Sequence, residues 1–456
     1  MNRRDFILRA GAASAAFGVR GVLPGHARAV TELAADFSLR IASGSHDLAP
    51  GTTVHTISYG SVPGPLLRVK EGAPVSVEVF NDTNTPELVH WHGLHIDPKN
   101  DGAMEEGSPM IPPHGRSYFR FTPSPSGSRW YHTHSSARMD ASRIDFNLAA
   151  YSGQYGFMYV EPKQDPGHYD HEIFLAIHHW EPKLMPMGAE SSGCQISYRY
   201  ASFNGKLLSA TEPLKVRENE RVLFHFLNAS ATQNVSLALP GHQFKVLALD
   251  GNQVPNSRSV SVVSLAVAER VDAIVEMKVP GVWILGSTSE EERQKGLGLP
   301  VEYAGCGGAA QWKDPEENDW AYTKFGMSAP EVVPDATFPM RFEKIAGTHG
   351  VLDRWTINGK SFPDMEPLEV REGGRYRFAF LNTSNETHPV HLHRHSFEIV
   401  SIAGRRSAGI LKDVINVEPY HKVEVDMLAN NPGPTLFHCH HQLHMDYGFM
   451  QLIRYV

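Results

Sequence analysis

The chain has 456 residues, enough for two to four domains at roughly 100–200 residues each. Its 41% apolar and 20% charged residues describe an ordinary soluble globular protein. Fifty acidic against 42 basic side chains give a formal charge of −8 at pH 7, which argues against nucleic acid as a partner, because phosphate binding needs a basic face. The 31 prolines and 39 glycines, set among short Val/Phe/Leu runs, predict an all-β chain with many turns.

The N-terminus reads as an address. Arg3-Arg4-Asp5-Phe6-Ile7 is a twin-arginine motif, an Ala/Gly/Val-rich stretch follows, and Ala27-Arg28-Ala29 matches a small-residue cleavage site. A twin-arginine signal peptide over residues 1–29 is therefore expected, with the export machinery as a partner and a periplasmic or secreted destination. That route carries folded proteins. No later run of about 20 apolar residues predicts a transmembrane span.

Three segments then resemble each other. Pro65-Leu66-Leu67-Arg68-Val69-Lys70-Glu71-Gly72 runs on to Val79-Phe80-Asn81. Pro213-Leu214-Lys215-Val216-Arg217-Glu218-Asn219 runs on to Phe226-Leu227-Asn228, and Pro367-Leu368-Glu369-Val370-Arg371-Glu372-Gly373 to Phe380-Leu381-Asn382. Each reads as a strand, a Gly/Asn turn and an alternating strand: Val75, Val77, Val79; Val222, Phe224, Phe226; Tyr376, Phe378, Phe380. A period of about 150 residues is too long for a solenoid and fits three copies of one β-sandwich domain. The expected domains are 30–162, 163–335 and 336–456, the second break lying in the irregular stretch Gly305 to Pro339.

Counting from the repeat asparagine locates histidines. Asn382 is followed by His388 at +6, His391 at +9 and His393 at +11; Asn81 is followed by Glu87, His90 and His92 at the same offsets. The middle copy holds Asn234, Leu237 and Leu239 there. A second motif, His132-Thr133-His134 in the first copy and His438-Cys439-His440 in the third, has no counterpart near Trp283-Ile284-Leu285. In a strand, residues i and i+2 face one side, so each His-x-His pair can aim two imidazoles at one point, and imidazole-rich sites suit Cu, Zn, Fe and Ni. His388, Cys439 and His444 remain: a thiolate with two imidazoles is a trigonal blue-copper set, with zinc the rival metal. The direct flanking of Cys439 by His438 and His440 favours copper, since one backbone segment joins the thiolate to the imidazole cluster.

His90-Trp91-His92-Gly93, His132-Thr133-His134, His388-Pro389-Val390-His391-Leu392-His393 and His438-Cys439-His440 with His444 resemble the four copper motifs of the three-domain, laccase-like multicopper oxidases, in order, over the chain from about residue 35 to its end. The resemblance implies three cupredoxin-like Greek-key sandwiches and four copper ions. It implies a type 1 copper on His388, Cys439 and His444, and a type 2 copper on His90 and His391. It implies a type 3 pair, one ion on His92, His132 and His440, the other on His134, His393 and His438. The first and third domains would clasp the cluster, with the second as scaffold. One-electron oxidation of a phenol or aromatic amine at the type 1 site would be coupled to reduction of O₂ to water, with Cys439, His438 and His440 carrying electrons; the alternative reductants are Cu(I), Mn(II) or Fe(II). A non-enzymatic cupredoxin relative would lack ligands, and none is missing. A monomer is expected.

In that family the type 1 axial position lies ten residues after the cysteine, here Phe449. A phenyl ring cannot coordinate, so a three-coordinate site of relatively high potential is expected. Asp101, nine residues after His92, matches the family's proton-relay position, although Asn100-Asp101-Gly102 is also a turn sequence. A second acidic position just after the last type 1 histidine is here Met445, with Asp446 following. Cys194 and Cys306 either pair or remain thiols. His178-His179-Trp180 and Met185-Pro186-Met187 read as strand-end and loop residues, and His349, His395 and His421 as ordinary ones. Ser136 to Tyr155, with Arg138, Asp140, Arg143, Asp145 and Tyr151, reads as an access-lining segment or a surface loop.

Overall fold

The alternating runs pair in an order that recurs three times in the computed structural model, which describes residues 34–163, 167–186, 194–330, 332–347 and 352–456. Phe37–Ala49 lies parallel to Val75–Asn81, which runs antiparallel to Gly115–Phe121. His171–Pro186 lies parallel to Arg221–Asn228, itself antiparallel to Arg270–Glu276. Ala336–Ile345 lies parallel to Arg375–Asn382, itself antiparallel to Lys422–Leu428. A second sheet recurs too: Leu67–Lys70, Leu214–Val216 and Leu368–Val370 each run parallel to Tyr155–Glu161, Gly298–Tyr303 and Met450–Tyr455 respectively. Parallel neighbours cannot be joined by a hairpin, so the chain crosses between two facing sheets, which gives each copy its sandwich. The three units are cupredoxin-like.

The pattern that predicted the strands also builds their cores. Val75, Val77 and Val79 pack with Leu39, Leu67, Trp91 and Phe119 from both sheets of the first sandwich. Phe224, Phe226, Phe378 and Phe380 belong to one continuous apolar cluster running through the second and third. The irregular stretch ends earlier than expected, because Ala336–Pro339 already belongs to the strand Ala336–Ile345.

The repeat asparagine is a structural staple. Asn81, Asn228 and Asn382 are all fully buried. Their side-chain amides donate to two or more backbone carbonyls: Thr85 and Ile111 for Asn81, Gln233 and Leu265 for Asn228, Glu386 and Val417 for Asn382. Their side-chain oxygens accept from the backbone N–H two residues on, of Thr83, Ser230 and Ser384. Each thus satisfies a loop's buried polar groups while fixing the entry into the next strand. In the first and third copies that next strand, His90–His92 or His388–Leu392, carries histidines.

The twin-arginine and cleavage motifs and His349 and Met187 lie outside the described residues. Among the described residues no helix is long and apolar enough to cross a membrane.

Candidate metal centre

His391 pairs across the sheet with His438, and Val390 with Cys439, so the third sandwich sets its two motifs on adjacent strands. The first sandwich does the same, with His90 opposite His132. These strand ends meet, and the imidazoles interleave: the His92 and His391 ring centroids lie 3.7 Å apart and those of His90 and His393 4.0 Å apart.

The hydrogen bonds reveal what the rings face. A neutral imidazole that donates from one nitrogen holds a lone pair on the other. His90 Nδ1 donates to Asp101 O (2.7 Å) and His391 Nδ1 to Asp413 O (2.8 Å), which leaves their Nε2 atoms facing each other at 3.3 Å. His92 Nε2 donates to Asp413 Oδ1 (3.0 Å) and His132 Nδ1 to Thr133 O (2.8 Å), which leaves His92 Nδ1 facing His132 Nε2 at 3.3 Å. His393 Nδ1 donates to Asp101 Oδ2 (2.7 Å) and His438 Nδ1 to Cys439 O (2.9 Å), with their Nε2 atoms 3.0 Å apart and His134 Nε2 3.4 Å from His438 Nε2. His440 stands 5.0 and 5.2 Å, centroid to centroid, from His132 and His92. Its Nε2 is buried without a hydrogen-bond partner.

A fourth focus lies behind Cys439. His388 Nε2 donates to Ser384 Oγ (3.0 Å) and His444 Nε2 to Glu386 Oε2 (3.1 Å). Their Nδ1 atoms lie 3.1 Å apart and 3.6 and 3.5 Å from Cys439 Sγ. Opposed lone pairs at such distances repel unless a cation lies between them. Burial first, then neighbouring imidazoles, hold His92, His132, His134, His388, His391, His393 and His440 well below the usual histidine range, and His438 falls to about 3. Burial, with a smaller push from the charge of Glu386, holds the Cys439 thiol well above the usual thiol range, so without a cation the site holds a thiol, and a bound metal would draw off its proton.

The ring nitrogens of His90 and His92 gather with that of His132, and those of His391 and His393 with that of His90, each group within 4.8 Å and buried. The donor set fits copper. The Phe449 ring is fully buried and stacks on His388, with centroids 4.8 Å apart, and it offers no donor atom. Three donors in a Cys/His₂ set are a blue-copper arrangement, whereas structural zinc takes four. Met450 points elsewhere and packs with Ala103, Leu436 and Met445.

Asp101 ends the helical turn Pro98–Asp101, capped by Asp97 and closed by Gly102 at φ 86°, where an added Cβ would stand 1.9 Å from Val89 O. The residue is therefore part of a turn, and its carboxylate touches His393. Sequence reasoning missed Glu106, whose Oε1 accepts from Leu436 N (2.6 Å) and lies 3.6 Å from His393 Nδ1. Burial, then the charge of Asp101, pushes Glu106 well above the usual carboxylate range. It also missed Asp413, because its partners come from the far ends of the chain. Glu386 was findable: at +4 from the repeat asparagine the other copies hold Thr85 and Thr232.

The first sandwich repeats the frame of the thiolate focus with other contents. Thr133 N donates to Gln154 O, as Cys439 N does to Phe449 O, both at 3.2 Å. Glu87 stands where the third copy has His388, and its Oε2 accepts from Thr133 Oγ1, Ser135 Oγ and Gln154 Nε2 at 3.2–3.3 Å.

The remaining expectations have mixed outcomes. His178 and His179 are buried within the strand His171–Pro186 rather than at its end, His178 donating to Ala229 O and His179 bonded to Glu292. Ser136 to Tyr155 straps the helix Gln442–Asp446 that carries His444: Asp446 accepts from Ser136 Oγ and Ala137 N, and Gln442 accepts from Ala150 N. Asp446 thus points into this strap. Cys194 and Cys306 are both free thiols. His395 bonds Tyr455 and His421 bonds Pro419 O, as ordinary residues.

Cupredoxin-like sandwiches that join a thiolate focus to an imidazole cluster define a copper redox protein. Sequence models of the family "Multicopper oxidase" match residues 42–165, 188–299 and 337–455. Multicopper oxidase MmcO of Mycobacterium tuberculosis is 29% identical over 447 residues, covering 89% of this chain and 84% of that protein. A solved multicopper oxidase from Pseudomonas thermotolerans superposes with a TM-score of 0.72 at 23% identity, covering 93% of this chain and 100% of that one. Fet3p, described as a multicopper oxidase that functions in iron import, superposes with a TM-score of 0.77 at 17% identity, over 92% and 90% of the two chains. The chain belongs to the multicopper oxidase family and is an oxidoreductase with O₂ as acceptor.

Proposed function

We propose that the protein takes single electrons from a phenol or aromatic amine at a type 1 copper and delivers them to O₂ at a trinuclear cluster, with four copper ions per chain. The observation that carries this reading is the set of four foci at which buried nitrogens turn lone pairs toward one another. His388, Cys439 and His444 would hold the type 1 ion and His90 with His391 the type 2 ion; His92, His132 and His440 would hold one type 3 ion, and His134, His393 and His438 the other. Bound copper would supply one-electron redox steps and storage for the electrons that O₂ needs to become water.

The chain's own residues do the rest. His444 is fully buried, so electrons enter through its hydrogen bond to Glu386, which Lys344 holds at 2.9 Å. Cys439 hands them through one peptide segment to His438 and His440. Asp101, with Glu106 beside it, delivers protons at His393. The expected twin-arginine signal places the enzyme in the periplasm or outside the cell.

A second reading, oxidation of Cu(I), Mn(II) or Fe(II), has its own support: Glu386 and the buried Asp353 gather around Lys344 beside His444, and carboxylates suit cations. Turnover of a phenol against turnover of metal ions separates the two. For the shared reading, copper-loaded protein should contain about four ions per chain and an intense visible absorption, and Cys439→Ser should abolish both that band and O₂ consumption. Survival of either in the variant overturns it.

A further inference from the structure

The middle sandwich contributes no residue to the four foci, yet it reaches the cluster. Arg270, fully buried on the strand Arg270–Glu276, grips Asp413 with both terminal nitrogens, NH1 to Oδ1 and NH2 to Oδ2, each at 2.6 Å. Asp413 belongs to the third sandwich and holds two imidazoles: His92 Nε2 on its carboxylate and His391 Nδ1 on its backbone carbonyl. Asp250, also of the middle sandwich, accepts from Asp413 N and Val414 N on Oδ2 at 3.3 and 3.1 Å and pairs with Lys412 at 2.9 Å. Arg129, from the first sandwich, donates to Asp250 O at 2.5 Å and approaches Asp413 Oδ2 at 3.4 Å. Arg129, Arg270 and Lys412 face Asp250, Asp413 and Glu269, all essentially without solvent contact.

We propose that Arg270 is a positioning residue for the cluster: by clamping Asp413 it fixes His92 in the tautomer that donates from Nε2 and presents Nδ1. This rests on the oxidase reading. An imidazole can turn over and exchange its nitrogens, and only the partner of the outer nitrogen decides which one faces the metal. A lone Asp413 carboxylate could rotate to leave His92. Two bonds from one planar guanidinium allow a single orientation. His391 needs no such clamp, since its acceptor is backbone.

The test is Arg270→Gln, with Arg270→Lys and the charge-neutral pair Arg270→Gln/Asp413→Asn beside it, all as copper-loaded full chains. Expected for Arg270→Gln is an unchanged visible band from Cys439, still bleached by reductant without O₂. Copper per chain should drop by at least one ion and O₂ consumption by roughly 10–100-fold, the range for loss of a ligand's outer partner. Arg270→Lys keeps the charge without the paired geometry and should fall between. The double variant removes the unpaired buried charge but does not restore the clamp, so its copper should stay with that of Arg270→Gln; recovery to the wild-type level overturns the proposal. A full copper complement in Arg270→Gln overturns the proposal. So does a parallel loss of the Cys439 band and cluster copper in folded protein of both Arg270 variants, which marks a purely structural role. Wild-type protein without the band would instead sink the oxidase reading.

Discussion

At Phe449 the protein chooses what the thiolate focus lacks. The ring stacks on His388 and also lies 4.7 Å, centroid to centroid, from Phe342, so it is locked by packing on two sides. Phe449→Met would bring a weak thioether toward the metal while keeping an apolar filling. The type 1 potential should fall by on the order of 60 mV, a tenfold change for a one-electron couple. Redox titration of the visible band checks this, and an unchanged potential counts against Phe449 as the axial occupant. Phe449 was singled out by the family resemblance, and its ring packs on His388 while Met450 lies in a separate apolar cluster. Asp413 was not singled out: a lone Asp before an apolar run has no local signature, and its meaning arises only when residues over 300 positions away, such as His92, fold against it.

Among the elements, the stapled loops carry the copied information. Removing a staple leaves buried carbonyls without donors, at about 1–3 kcal/mol. Asn228→Ala should therefore lower the melting temperature and leave copper content unchanged, since the middle loop leads to no histidine. Asn382→Ala should cost similar stability and in addition loosen His388, so the visible band weakens. Equal copper content in the two variants would show that the staples serve the fold alone. The strands and their inward faces were legible because periodicity is local. The strap from Ser136 to Tyr155 was not, because its partner helix lies some 300 residues on and is held by single polar bonds such as Ser136 to Asp446. The misplacement of His178 and His179 has the same origin: one strand of 16 residues overrides the local polar look of the sequence.

Across the whole molecule, buried neutral histidines set the acid limit. Burial, more than neighbouring charge, pushes His95 and His178 down to about 3 and His395 to about 4. Unfolded, each takes a proton near pH 6.5. Below that pH the unfolded chain binds more protons than the folded one, so stability falls as pH drops toward 4; above about 6.5 these groups contribute no pH dependence. The melting temperature of holoprotein should decline from pH 7 to pH 4.5, and His95→Gln should flatten part of the slope. A level profile contradicts the assignment of these rings as neutral.

The plugged frame in the first sandwich bears on traffic. Its position next to His132 and His134 mirrors that of Cys439 next to His438 and His440. Filled with a glutamate, hydroxyls and an amide, it offers nothing that changes oxidation state. On the proposed reading, an otherwise symmetric clasp is thereby given a single doorway, and every electron bound for oxygen would queue through the same sulfur.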